Sequence, residues 1–267
     1  MSADTQTDAP LVLREQTGAV VRLTLNRPQQ FNALSIAMMD ALSVALAQIA
    51  SDAAVRAVVV AGSGKAFCAG HDLHELLAQP DQAAQQALFE QCGRLMMQIQ
   101  RMPQPVIAEV SGVATAAGCQ LVATADLAVA ADTARFAVSG VNLGLFCSTP
   151  AVPLSRNMHR KQAMEMLLTG DFISAEDARQ RGLVNRVVPA ADLAGAVQTL
   201  IDSIIRKPPE VIALGKQLFY RQVETGVEAA YQVASHTMAC NLQEASTREG
   251  ITAFTQKRKP DWPTPGA

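Results

Sequence analysis

An α/β fold with a helical C-terminal appendage is what the sequence predicts, and three features predict it. Short β-branched runs alternate with segments of helical period through the first part of the chain. Beyond Gly144 the pattern becomes mostly helical. The length, 267 residues, suits one large domain or two small ones with a sizeable buried core.

Taken in order, residues 1–10 are polar and acidic and read as a disordered lead. Residues 19–25 alternate well enough for a strand, which the turn chemistry of Asn26, Arg27 and Pro28 ends. Ser35 is placed to cap a helix running to about Ala50, because Met38, Met39, Leu42, Leu46 and Ile49 recur at helical spacing. Residues 56–61 form a buried strand that opens into Gly62-Ser63-Gly64, and a helix over residues 82–102 stops before Pro103 and Pro105. A short β-branched strand at 106–110 runs through Ser111 and Gly112 into small residues at 114–118, then a helix from about Cys119. Further strands fall at 127–131 and 135–138, and helices at 161–169, 174–181, 191–205, 209–220, 227–242 and 248–255. Ser174 followed by Asp177 is a weaker relative of the capping box.

Composition excludes several functions. The formal net charge is -2 and aromatics are 4%, with one Trp and two Tyr, so neither a phosphate backbone nor stacked bases have a matching surface. Five cysteines without a CxxC pair suggest neither a zinc site nor a disulfide framework. The apolar stretch 113–131 is broken by Gln120 and Asp126 and reads as core rather than as a membrane span. With an N-terminus resembling neither a signal nor a transit peptide, these features predict a cytoplasmic protein.

Two places join a strand end to small residues and a following helix: Gly62 to Leu73, and Val110 to Gln120. Backbone without bulky side chains can approach a ligand closely, and amides at a helix N-terminus carry partial positive charge. Two such amides converging on one oxygen would make an oxyanion hole. From the residues alone, tight packing is the commoner reason for such small-residue turns.

Several segments resemble the enoyl-CoA hydratase/isomerase (crotonase) family. They are Leu25-Asn-Arg-Pro28 with Asn32-Ala-Leu34, Ala66-Phe-Cys-Ala-Gly-His-Asp-Leu73, Pro105-Val-Ile-Ala108, and Ala163-Met-Glu-Met-Leu-Leu-Thr-Gly170. Ile173-Ser-Ala-Glu-Asp-Ala178, Gly182-Leu-Val-Asn-Arg-Val-Val-Pro189 and Glu249-Gly-Ile-Thr-Ala-Phe254 continue the series in family order, nearly to the chain's end. The resemblance implies a crotonase-like ββα spiral core over residues 11–200. It also implies a helical region over 201–267 through which the chain assembles as a homotrimer or homohexamer. It implies an acyl-CoA thioester as ligand, coenzyme A being part of the substrate, with no prosthetic group and no metal. The thioester carbonyl would sit between the amides of His71 and Ala117.

Other site residues follow from the same resemblance. Coenzyme A would lie along backbone near Ala33, Ala66, Cys68, Ala69, Asp72 and Leu73. Phe254 and Lys257 would reach in from the C-terminal region, and Arg27 and the cationic run Lys257-Arg258-Lys259 would suit the phosphates. Where family hydratases hold water with two glutamates, this chain has Gln120 and Gly140. Glutamine can position water but cannot take its proton, and glycine can do neither, so ordinary hydration is expected to be weak.

The imidazole of His71 is a candidate for moving protons, against packing as the alternative. His74 reads as a surface or ligand-facing residue, Glu109 as a partner-satisfied or interface carboxylate, Asp72 as a helix cap and Asp126 as a structural acid. Cys147 and Ser148 fall where a loop could meet the acyl group. Three functions are carried forward: an acyl-CoA enzyme stabilising an enolate, an acyl-CoA-binding protein without turnover, and thioester hydrolysis through Cys147.

Overall fold

Three valines in succession, Val58, Val59 and Val60, need apolar cover on both faces of a strand, and the fold supplies it. The structure is a computed structural model describing residues 9–263. Of the expected disordered lead, residues 1–8 lie outside the described residues, while Ala9 and Pro10 are exposed and outside any element.

The chain opens with an antiparallel hairpin, β1 (Val12–Thr17) and β2 (Val20–Leu25), turning at Gly18 with φ +56. Sequence reading finds β2 and misses β1, a largely exposed edge strand whose VLREQT lacks apolar alternation. Helix α1 (Ile36–Ala50) starts at Ser35, whose hydroxyl accepts from the Met38 N–H, and buries the expected stripe. Then come β3 (Ala57–Gly62), β4 (Ala66–Cys68), α2 (Leu73–Ala78), α3 (Gln82–Arg101), β5 (Val106–Val110), β6 (Val113–Thr115), α4 (Ala117–Thr124), β7 (Leu127–Ala131) and β8 (Arg135–Ala137). The remainder is α5 (Ser148–Asn157), α6 (Arg160–Thr169), β9 (Ile173–Ser174), α7 (Ala175–Gln180), β10 (Arg186–Val188), α8 (Leu193–Ile205), α9 (Pro209–Gln222), α10 (Val227–Asn241) and α11 (Ala245–Thr255).

Strands β3, β5 and β7 pair in parallel in a six-stranded sheet ordered β1-β2-β3-β5-β7-β10. Their successors β4, β6 and β8 pair in parallel in a second sheet, closed by antiparallel β9. Each turn of the chain thus gives one strand to each sheet before a helix or helical turn, which is the ββα spiral. Val58 and Val60 face the main core with α1 and α3, whereas Ala57 and Val59 face Leu193, Val197 and Ile201 of α8.

The sequence does not reveal β4 and β6, because three residues are too few to establish a period. It misses α5 because that helix carries Pro150 and Pro153, the latter in its interior. Ser174 and Asp177 form a complete capping box, each side chain bonding the other's backbone N–H. Glu109 is satisfied by a two-pronged pair with Arg22, at 2.8 and 2.7 Å.

Asp126 ties the C-terminal helices to the spiral. Its carboxylate accepts from the Val106 N–H at 2.7 Å, Lys216 Nζ at 2.6 Å and the Tyr220 hydroxyl at 2.8 Å. Helix α10 buries none of its residues, and Val227, Tyr231 and Met238 are each more than 70% exposed. Among the described residues no helix is long and apolar enough to cross a membrane.

Candidate active site

The two turns singled out in the sequence meet where the second sheet passes into α2 and α4. Leu34 forms a parallel bridge with His71, donating to the Gly70 carbonyl at 2.7 Å and accepting from the Asp72 N–H at 3.3 Å. Both bonds belong to the neighbours of His71, so its own N–H points to the opposite side. On the facing turn, Ala117 is the first residue of α4 and its N–H has no acceptor within the helix.

Ala116, just before it, adopts φ 49 and ψ -119, a conformation that costs a non-glycine residue about 1–3 kcal/mol. It is held there by its N–H bond to the Ala137 carbonyl at 3.0 Å. Gly70 has φ +98, and a Cβ there would lie 2.9 Å from the Ala116 Cβ and 3.3 Å from the Ala117 nitrogen. The turn carrying His71 therefore abuts the Ala117 amide. Among the described residues neither the His71 nor the Ala117 N–H donates a hydrogen bond.

The side chains around these amides are less conventional. The His71 ring meets Phe89 edge to face, with centroids 5.5 Å apart. Both ring nitrogens are buried without a hydrogen-bond partner among the described residues, and burial holds the imidazole below its ordinary pKa. Gln120 is buried in α4, its Oε1 4.0 Å from Cys92 Sγ of α3. Gly140 lies in a short 3-10 turn, Ser139–Leu143, where a Cβ would collide with the Leu145 carbonyl and stand 2.8 Å from Cys147 Sγ. Cys147 is buried, which raises its thiol pKa, and burial pushes Cys68, Cys92 and Cys119 up to about 12.

Of the residues expected to contact coenzyme A, Arg27, Ala33, Ala66, Cys68, Ala69, Asp72 and Leu73 cluster on the strand and turns beside His71. Ala69 N–H donates to the Phe31 carbonyl at 3.0 Å, Ala33, Ala66 and Cys68 are buried, and Leu73 is half exposed. Arg27 and Asp72 are committed to each other by a 2.7 Å pair, and Asp72 also accepts from the His74 and Glu75 N–H groups as the cap of α2. The pair engages one guanidinium nitrogen of Arg27, whose side chain remains partly exposed.

Phe254 is 85% exposed, and no hydrogen bond or ion pair among the described residues joins it or Lys257 to the cluster. Of the terminal cations, Arg258 is paired with Glu249 at 2.5 and 2.8 Å. Asn32 carries a positioning role that sequence reading does not assign. Fully buried, it accepts from the Arg27 N–H at 2.9 Å and donates to the Ser63 and Ala66 carbonyls, both at 2.8 Å. Its signal was present in the Asn-Ala-Leu run, but the two carbonyls it donates to are over 30 residues away.

Comparison with known proteins agrees with this architecture. The family model for enoyl-CoA hydratase/isomerase matches residues 15–265. Enoyl-CoA hydratase domain-containing protein 3, mitochondrial, from Xenopus laevis is 46% identical, covering 95% of this chain and 86% of the relative. A crystal structure of an enoyl-CoA hydratase from Mycobacterium smegmatis superposes with a TM-score of 0.94 at 57% identity, over 96% of this chain and all (100%) of that one. The crystal structure of human enoyl-CoA hydratase domain-containing protein 3 gives 0.91 at 42% identity, over 94% and 100% of the two chains. The expectation of a cytoplasmic protein does not stand: the Xenopus relative and its fish, rodent and human counterparts are all named as mitochondrial. Composition is a poor guide to compartment, which is read from targeting segments and not from the make-up of the folded domain. With the spiral, the paired turns and the match over almost its whole length, the chain belongs to the enoyl-CoA hydratase/isomerase family.

Proposed function

We propose that this protein binds an acyl-CoA thioester with its carbonyl oxygen between the N–H groups of His71 and Ala117 and stabilises the enolate that forms there. The observation that carries the reading is the abutment of the two turns whose His71 and Ala117 amides have no hydrogen-bond acceptor among the described residues. Fixed dipoles aimed at an oxygen that gains charge need no reorganisation as the reaction proceeds, and losing one donor costs about 3–4 kcal/mol of transition-state stabilisation.

Ordinary hydration is weak in this reading. Gln120 supplies an amide, and at Gly140 the space for a side chain is taken by the Leu145 carbonyl and Cys147. That same filled space supports the second reading, an acyl-CoA-binding protein without turnover. Hydrolysis through Cys147 has little support, because burial keeps the thiol protonated.

Coenzyme A runs along the backbone from Ala33 through Ala66 to Leu73, with Phe254 and Lys257 contributed by a neighbouring subunit. Assembly as a homotrimer or homohexamer through residues 201–267 is supported by α10, which has no buried residue, and by an apolar groove of about 630 Å³ between α9 and α10. The deciding experiment incubates the protein with a panel of acyl-CoA thioesters, crotonyl-CoA included, and identifies products. Turnover other than rapid hydration supports the enzyme, binding without any product supports the binding protein, and absence of binding overturns both.

A further inference from the structure

Gln85, Phe89 and Cys92 occupy one face of α3, at spacings of four and three residues. At the inner end, Cys92 Sγ stands 4.0 Å from the Gln120 amide oxygen. In the middle, the Phe89 ring meets the His71 imidazole at 5.5 Å and an interplanar angle of 78°. At the outer end, Gln85 lines a cleft of about 500 Å³ together with Gln82, Gln86, Glu90 and Thr149, and Phe89 lines the same cleft from within. The seven steps from Gln85 to Cys92 rise about 10 Å along the helix, and the Phe89 ring stands between the His71 imidazole and the open cleft. Both ring nitrogens of the imidazole that Phe89 meets are buried and without a hydrogen-bond partner among the described residues.

The geometry points to Phe89 as the residue that sets the acyl-chain length this site accepts. This rests on the acyl-CoA reading above and adds to it the class of acyl group. With the ring in place, an acyl group whose carbonyl lies at His71 and Ala117 ends against Phe89, and the site takes short chains. Without it, the space that the ring leaves joins the cleft, and a longer chain passes between Gln85 and Thr149.

Calorimetric titration of the intact protein with butyryl-CoA and octanoyl-CoA tests this. The wild type binds butyryl-CoA more tightly, and Phe89→Ala moves the affinity ratio toward octanoyl-CoA by about tenfold or more, since each added methylene gains burial in the cleft. Phe89→Leu gives a smaller shift in the same direction and serves if the alanine variant folds poorly. Adding Thr149→Trp to Phe89→Ala refills the cleft and returns the ratio toward the wild type. An unchanged ratio in both Phe89 variants, or a wild type that already prefers octanoyl-CoA, overturns the inference while leaving the acyl-CoA site standing. If neither thioester binds the wild type, the site reading fails and the inference with it.

Discussion

Cys147 Sγ fills the space that a side chain on Gly140 would enter: a Cβ built on that glycine lies 2.8 Å from the sulfur and collides with the Leu145 carbonyl. The loop that approaches the amides has closed over its own backbone. A carboxylate therefore cannot be restored at this position by replacement alone.

The two hydration-linked positions should accordingly respond in opposite ways. Gln120→Glu places a carboxyl group on a helix already packed against α3, and supplying a proton acceptor there raises crotonyl-CoA hydration by about tenfold or more. Gly140→Glu displaces the loop, lowers the melting temperature and adds no activity. Loss of the conjugated enoyl absorbance, followed beside thermal melts, checks both; a gain from Gly140→Glu would show that the loop opens readily.

Gly70 lies where the turn carrying His71 abuts the turn carrying Ala117. Gly70→Ala puts a side chain at φ +98 and 2.9 Å from the Ala116 Cβ, so the turns must separate. Acyl-CoA affinity falls by about tenfold or more while far-UV circular dichroism stays native, given the energy of a hydrogen bond to a preorganised oxygen site. Unaltered affinity would mean that the thioester oxygen lies elsewhere.

Lys216 is a stability residue. Its ammonium donates to the Ile99 and Gln104 carbonyls, both at 2.8 Å, and to Asp126. Lys216→Ala leaves the Asp126 carboxylate buried without its counter-charge and costs about 3–5 kcal/mol in urea denaturation. The double variant Lys216→Met with Asp126→Asn recovers part of that loss. A cost below about 1 kcal/mol would refute the role.

His71 makes stability depend on pH in one direction. The folded ring resists protonation because burial lowers its pKa, so the unfolded chain takes up the proton first as pH falls. The contribution is whole above the ordinary imidazole value and is lost as pH drops through the lower folded value, with a slope of at most about 1.4 kcal/mol per pH unit. Urea midpoints of the wild type and His71→Gln, compared from about pH 7.5 to about pH 5, should diverge toward acid as the wild type weakens. A difference independent of pH would show that the folded ring accepts the proton freely.

Much of the architecture was legible because its signals are local. The apolar runs of β3 and β7 are continuous since both faces are covered, and the stripe of α1 is periodic since one face is. Ser35 and Asp72 announced the caps they make. The edge strand β1, the short strands of the second sheet and the proline-bearing α5 gave no such signal, because pairing across the chain, not residue preference, holds them in place. At the site, Gln120 and Gly140 could be named from their positions in a motif, but what surrounds them could not.

The sequence by itself determined the main-sheet strands β2, β3, β5 and β7, the helical tail and the family, since apolar period and motif order survive in one dimension. Only the tertiary structure decided that Arg27 and Asp72 neutralise each other, that Cys147 occupies the space beside Gly140, and that Phe89 stands between His71 and the outer cleft. Each of those relationships joins residues that are not neighbours in the chain, and such contacts are fixed by packing geometry, which no local pattern encodes.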